Sequence, residues 1–491
     1  MAKWFLATYI RDVWSRLSYL KASITSVYGA ILKIDSTKKI ARKLQGTAAD
    51  SVSWCTNIGN ENGEVLLSLL TTSESLANLG QMAERLMARY DKAQKAPPRV
   101  LYTDHDCCRS NDKSKFQLLF NKWEDLVVRL DVWHFIRRLS NACNNESHPL
   151  YGTFMSGISG AIFEWDAFDV NLLRDAKRAE LKLAGIQNPS TETVEKAVTK
   201  TELARHCRRK TRGTEVTIRL LDQLCSSFTG ITDSLGVPIL KEDAIDIFET
   251  EKWHVNCIQD PDGVQLYTKT GELVKGGITL PVYRCSRGTT SLESLHSHIK
   301  NFIPGNAAND VHFQAFLLVG IARWNLERSS SSIEPTSRLR SFDRKLQEMV
   351  NRLSTGVLGI AADPLFTPLS VYTGELFGVE YLYNEKGTLA AFDDVDRKID
   401  DGVEVADEPF DFNCCSAGME DDPELDLACT SFTHASSDCT ADSVSDVSDA
   451  EQDGHQSFDY KSIGGWDKVD NLAAALLETK DCQCRIKKST K

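Results

Sequence analysis

The sequence predicts an α/β protein: a mixed sheet flanked by helices, a long and mainly helical insertion, and a disordered acidic C-terminal segment. Three observations carry that reading. Short apolar runs at residues 30–35, 99–104 and 126–131 each end in an aspartate, as buried strands opening on a common sheet edge would. Two β-rich runs, 51–57 and 64–71, flank Gly59-Asn60-Glu61-Asn62-Gly63, and Asn-Gly is a strong hairpin signal. Helix-periodic stretches follow the later strands, which suits a sheet covered by helices.

Taken in order, residues 3–28 place Trp4, Tyr9, Val13, Trp14, Leu17 and Leu20 at helical spacing opposite an Arg/Lys face. Residues 30–35 form a strand with Asp35 at its mouth. After the hairpin, residues 76–95 are helix-periodic through Leu79, Met82, Leu86, Met87 and Tyr90, and Pro97-Pro98 stops them. The strand ending in Asp104 comes next, then a helix at 116–123, the strand ending in Asp131 and a helix at 133–141. Residues 150–184 and 191–227 read as helical, the second stretch carrying the basic run Arg205-His-Cys-Arg-Arg-Lys-Thr-Arg212. Residues 239–281 are mixed, with a hairpin-like pattern at 267–273. A helix starting near Ser291 puts Leu292, Leu295, His298, Ile299 and Phe302 on one face. Residues 311–328 form an apolar helix expected to pack on the sheet, and 339–353 a further helix.

These elements divide the chain into an N-terminal helix (1–29), a core in two parts (30–142 and 283–330), the insertion (143–282), a helical extension (331–391), the acidic segment (392–458) and a short helix with a basic tail (459–491). Of 491 residues, 57 are Lys or Arg and 69 Asp or Glu, a net charge of -12. That average speaks against a nucleic-acid partner, but it hides a split. Residues 393–453 hold 20 acidic and 2 basic residues, a net -18, which leaves +6 for the rest. The acidic stretch is rich in Asp and Ser and too poor in apolar residues to offset chain entropy, so it is expected to be disordered. The basic end, Arg485 to Lys491, reads as a solvated tail. The longest apolar run, Ala315 to Ala322, is far short of a membrane span. The N-terminus has neither a long apolar region nor a small-residue cleavage site, so no signal peptide is expected.

The 14 cysteines include no C-x-x-C pair and are expected to be reduced thiols, with a structural zinc site assembled from distant residues left open. His105-Asp-Cys-Cys108 lacks the base and orienter that a cysteine nucleophile needs, and His254-Val-Asn-Cys257 is half of a zinc site at most. Neither a P-loop nor a Gly-x-Gly-x-x-Gly loop is present, so no nucleotide cofactor is expected. Carboxylates gathered at strand ends suit hard divalent cations, and a pair of Mg²⁺ ions suits phosphodiester chemistry. Asp35, Asp104 and a later acid are the candidates.

Four blocks carry a family resemblance: Ile34-Asp35-Ser36-Thr37, Leu101-Tyr-Thr-Asp104, Asp131-Val-Trp-His134, and Arg287-Gly-Thr-Thr-Ser-Leu-Glu293 continuing to Lys300. Over about residues 20–330 the chain resembles DDE-type cut-and-paste transposases with an RNase H-like core. The third block is similar to the [C/D]-x-x-H motif of the Mutator-like, hAT-like and Kolobok-like superfamilies. The chain also resembles transposase-derived proteins abundant in fish genomes, through Leu150-Tyr-Gly-Thr-Phe154 and Phe302-Ile-Pro-Gly305. The resemblance implies that Asp35, Asp104 and Glu293 hold two Mg²⁺ (or Mn²⁺) ions, that Asp131 and His134 support the site, and that the partner is DNA and the location nuclear, with a homo-oligomer open. Arg287 and the basic residues Arg205, Arg208, Arg209, Lys210 and Arg212 are the expected phosphate contacts. A working transposase of this kind carries a DNA-binding module ahead of its core, whereas about thirty residues precede Asp35 here. The second reading is therefore a catalytically silent, transposase-derived DNA- or protein-binding protein.

Overall fold

The computed structural model describes residues 2–46, 52–110, 113–303, 308–331, 344–363, 369–388 and 395–400. Five strands form its main sheet: β1 (Ile31–Thr37), β2 (Trp54–Asn60), β3 (Val65–Thr71), β4 (Val100–Thr103) and β5 (Val127–Leu130). Their order is β3-β2-β1-β4-β5. The β1–β2 and β2–β3 pairs are antiparallel, and β1–β4 and β4–β5 are parallel. The sheet is thus mixed, as the sequence predicts.

The register explains the three terminal aspartates. Lys33 lies opposite Tyr102, and Thr103 opposite Leu130. Two residues past the first pair are Asp35 and Asp104; one past the second are Asp104 and Asp131. All three aspartates therefore fall level at the carboxyl ends of adjacent parallel strands, the edge where open α/β sheets commonly bind ligands.

The β2–β3 hairpin turns as its sequence predicts. Gly63 takes φ +77°, its amide donates to the Asn60 carbonyl at 3.0 Å, and the Asn60 side chain accepts from the amides of Asn62 and Glu64 at 2.9 Å each. Helices Gly80–Lys92, Thr290–Phe302 and Asp310–Ser331 contribute to the same core as the strands. The last of these is docked on the hairpin: the Trp324 indole donates to the Gly63 carbonyl at 2.7 Å, and Asn325 bonds both backbone groups of Val65. No helix among the described residues is long and apolar enough to cross a membrane.

A second core joins the insertion to the helix after β5: helices Val132–Ser140, Tyr151–Ile162, Thr214–Phe228 and Ala244–Lys252 share its buried residues. The insertion differs from expectation at the basic run. Helix Lys200–His206 ends there, and Arg209–Thr211 forms a strand on Phe163–Trp165. Consecutive basic residues offer no apolar face to a helix, whereas here Arg209 lies over Phe163 and Lys210 reaches Glu164. The hairpin foreseen at 267–273 is longer, pairing Tyr267–Lys275 with Ile278–Cys285.

Two further expectations change. The N-terminal helix is two, Ala2–Ser15 and Leu17–Thr25, because Arg16 leaves helical geometry (φ -122°, ψ 21°). The start of the acidic segment is ordered: Val395–Asp400 is helical, with Ile399 buried and Lys398 paired to Asp310 at 2.6 Å. The rest of that segment and the basic tail lie outside the described residues.

Candidate functional site

Asp35, like Asp131, is a buried strand-end acid. Its Oδ1 accepts from the Ser36 amide at 2.8 Å, and its Oδ2 is buried without a hydrogen-bond partner. Opposite it in the β1–β2 register is Asn57, fully buried, whose side-chain nitrogen meets His296 Nε2 at 3.0 Å. The other face of that imidazole looks at acids: Nδ1 is 3.8 Å from Asp35 Oδ2 and 3.8 Å from Glu293 Oε2. His296 and Glu293 are three residues apart on the Thr290–Phe302 helix, so both project from one face.

Asp131 holds this arrangement together. As N-cap of the Val132–Ser140 helix, its Oδ2 accepts from the His134 amide at 3.1 Å and meets His134 Nδ1 at 2.7 Å. Its Oδ1 accepts from the Thr289 amide at 3.0 Å, just ahead of the helix bearing Glu293. Gly288 makes room for this, since it takes φ +75° and a Cβ there would stand 2.2 Å from Asp131 Oδ1. With Nδ1 held by Asp131, His134 turns Nε2 toward Glu293, at 3.7 Å. A carboxylate behind an imidazole is how metal-site histidines are commonly oriented.

The expected acids thus fall into two adjoining groups. Asp35, His134 and Glu293 have ligand atoms within 4.8 Å of one another, and so do Asp104, His105 and Glu74. Burial, then the charges of Glu293 and Asp104, push the Asp35 carboxyl up to about 9. For Asp104, burial works upward, but the hydrogen bond and charge of His105 and the charge of His134 outweigh it and hold the carboxyl low. His134 shows the reverse: burial works to lower it, and its bond to Asp131 wins and raises it.

Glu74, His105, His296 and Lys33 join the neighbourhood without having been expected there. Lys33 is buried, donates to Ser291 Oγ at 3.2 Å, and is lowered by burial to about 8. His296 had a sequence signal in its spacing from Glu293. Glu74, on an irregular segment, had none.

The basic residues lie elsewhere and are mostly engaged. The Arg287 side chain is buried, holding Asp260 through Nε and Nη2 at 2.7 and 2.8 Å, donating to the Arg209 carbonyl and lying over Phe163. That commitment makes it a brace between insertion and core, in place of the exposed phosphate contact expected. Arg208 pairs with Asp169 at 2.7 Å, Arg212 and Lys210 with Glu164 at 3.3 and 3.0 Å, and Arg209 lies over Phe163. Arg205 and Lys210 are exposed.

No family model, curated protein or solved structure matches this chain. What it can do must therefore be argued from the residues themselves.

Proposed function

We propose that the chain is a divalent-metal-dependent phosphodiester-cleaving and strand-transferring enzyme acting on DNA, with an RNase H-like catalytic core of the DDE transposase type. The observation that carries the reading is Asp35 Oδ2: a buried carboxyl oxygen with no hydrogen-bond partner, grouped with Glu293 and level with Asp104. Leaving such an oxygen unsatisfied is costly unless a cation meets it. Oxygen donors from three carboxylates fit Mg²⁺ or Mn²⁺. Asp35 and Glu293 would hold one ion, with Asp104 and Glu74 beside it for a second.

Bound there, such ions would supply activation of the attacking oxygen and stabilisation of the leaving one. The chain's own groups do the rest. Asp131 fixes the His134 ring and the start of the Glu293 helix. His134 and His296 place imidazoles against Glu293 and partly balance the acids until a cation arrives. The +6 balance outside the acidic segment favours a polyanionic substrate, and a DNA substrate places the protein in the nucleus.

The test is nicking and strand transfer on duplex DNA with Mg²⁺ or Mn²⁺, comparing wild type with Asp104→Asn and Glu293→Gln. Activity in the wild type alone is the expected result. Equal activity in all three would remove the site from the chemistry. Metal-independent DNA binding without turnover in any of them would leave the silent, DNA-binding reading.

A further inference from the structure

A second cluster of metal-ligating side chains lies on the other side of the Asp104 loop, built from two sequence fragments that look uninformative apart. Cys107 and Cys108 follow β4; His254 and Cys257 follow helix Ala244–Lys252, 146 residues further on. The four ligand atoms lie within 4.8 Å of one another. Cys108 Sγ is 3.9 Å from Cys107 Sγ and 3.8 Å from Cys257 Sγ. His254 Nδ1 is 3.4 Å from Cys107 Sγ and 3.2 Å from Cys108 Sγ.

These separations have a meaning. A tetrahedral ion with Zn–S of about 2.3 Å and Zn–N of about 2.0 Å spaces its ligands by roughly 3.8 Å for sulfur to sulfur and roughly 3.5 Å for sulfur to nitrogen. The four edges above lie within about 0.3 Å of those figures. A disulfide needs sulfurs at about 2.05 Å, so the thiols are too far apart to be bonded and too close to ignore one another.

The site is also held in shape by other means. Cys107 is buried in the second core, to which Val255 and Ile258, flanking His254 and Cys257, also belong. The Leu130 amide at the end of β5 donates to the Cys257 carbonyl at 2.9 Å. Arg138 bonds the Asp104 carbonyl and approaches Glu251 at 3.8 Å, joining the same two segments.

We propose that Cys107, Cys108, His254 and Cys257 form a structural zinc site that clamps the insertion to the loop carrying Asp104. Four protein ligands complete the tetrahedron and leave no position for a reacting water, so the role is structural. Three thiolates and a neutral imidazole around Zn²⁺ carry a net single negative charge, and the Arg138 guanidinium lies beside it. The site stands whether or not the acid cluster is catalytic.

The test is the metal content of the purified full chain by elemental analysis, with mercurial titration of the thiols and Co²⁺ substitution. The expected result is about one zinc per chain, released in step with modification of three thiols and replaceable by Co²⁺ with a tetrahedral, thiolate-bearing spectrum. Cys257→Ser and Cys108→Ser should lower zinc at least tenfold, while Asp35→Asn and Cys285→Ser retain it. The titration and the Co²⁺ spectrum use the wild type, so they decide the matter even if a Cys variant fails to fold. A folded wild type without zinc, zinc retained in both Cys variants, zinc lost in Asp35→Asn, or a Co²⁺ spectrum without thiolate bands would each overturn the proposal.

Discussion

The acid cluster at the sheet's edge and the basic strand of the insertion are both dense in charge, yet they treat it in opposite ways. Around Arg208, Arg212 and Arg287 every guanidinium meets a carboxylate. Around Asp35, acids crowd one another, so that its carboxyl is pushed up to about 9, and its buried Oδ2 has no hydrogen-bond partner. Paired opposite charges brace a fold. Like charges kept close without a partner burden it, and are retained where something absent from the chain supplies the missing charge.

The contrast predicts that removing a charge has opposite consequences in the two regions. The largest effect should be on turnover: Asp35→Asn should lower metal-dependent DNA cleavage by about a thousandfold, the scale of losing a group that stabilises transition-state charge. The same variant should be no less stable than the wild type when metal-free. Asp35 keeps its proton in the folded state up to about 9, whereas the unfolded chain releases it near the ordinary carboxyl value. The wild type therefore loses stability as pH rises through that window, and Asn does not. Thermal melts in chelator should show the variant's advantage growing with pH; a variant that melts lower across the whole range would break the comparison.

Arg287→Ala should do the reverse. Leaving Asp260 without its buried partner should cost about 3–5 kcal/mol in chemical denaturation. Retained stability would mean the brace is ornamental. Next, Asp131→Asn and His134→Ala should each reduce activity or metal affinity by about 10–100-fold, as loss of orienting partners does, with Asp131→Asn also loosening the Glu293 helix in hydrogen exchange. Smallest is Lys210→Ala: its pair with Glu164 is exposed, so stability should move by no more than about 0.5 kcal/mol. Any weakening of DNA binding it causes should fade with added salt.

Much of the sheet can be read from the chain because its strands are short apolar runs that stop at an aspartate, and buried parallel strands impose that pattern. The Asn-Gly turn announced the hairpin for an equally local reason. The sequence is poor where structure depends on partners far away. Arg209–Thr211 is a strand only because Phe163–Trp165 lies beside it, and nothing in Arg-Lys-Thr says so. Arg287 looked like a phosphate contact because its acid, Asp260, is a long way off in the chain. Glu74 is invisible for the same cause, and the two Cys/His fragments can be seen singly but not joined: each lacks, locally, the groups that give it meaning.

Asp131 leads to one more consequence, a kinetic one. Its carboxylate joins residues 158 apart in sequence, so the site closes only after the whole intervening chain has collapsed into place. Contacts of such separation form late in folding, while the entropy of closing a loop grows only slowly with its length. Partly folded chains would therefore display Asp35 and Asp104 before Glu293 arrives, and the cluster would be completed as one of the last acts of folding. A segment of this kind can lengthen or shorten with little thermodynamic effect on the centre it encloses, provided that the Gly288 turn still delivers the Thr289 amide to the same oxygen.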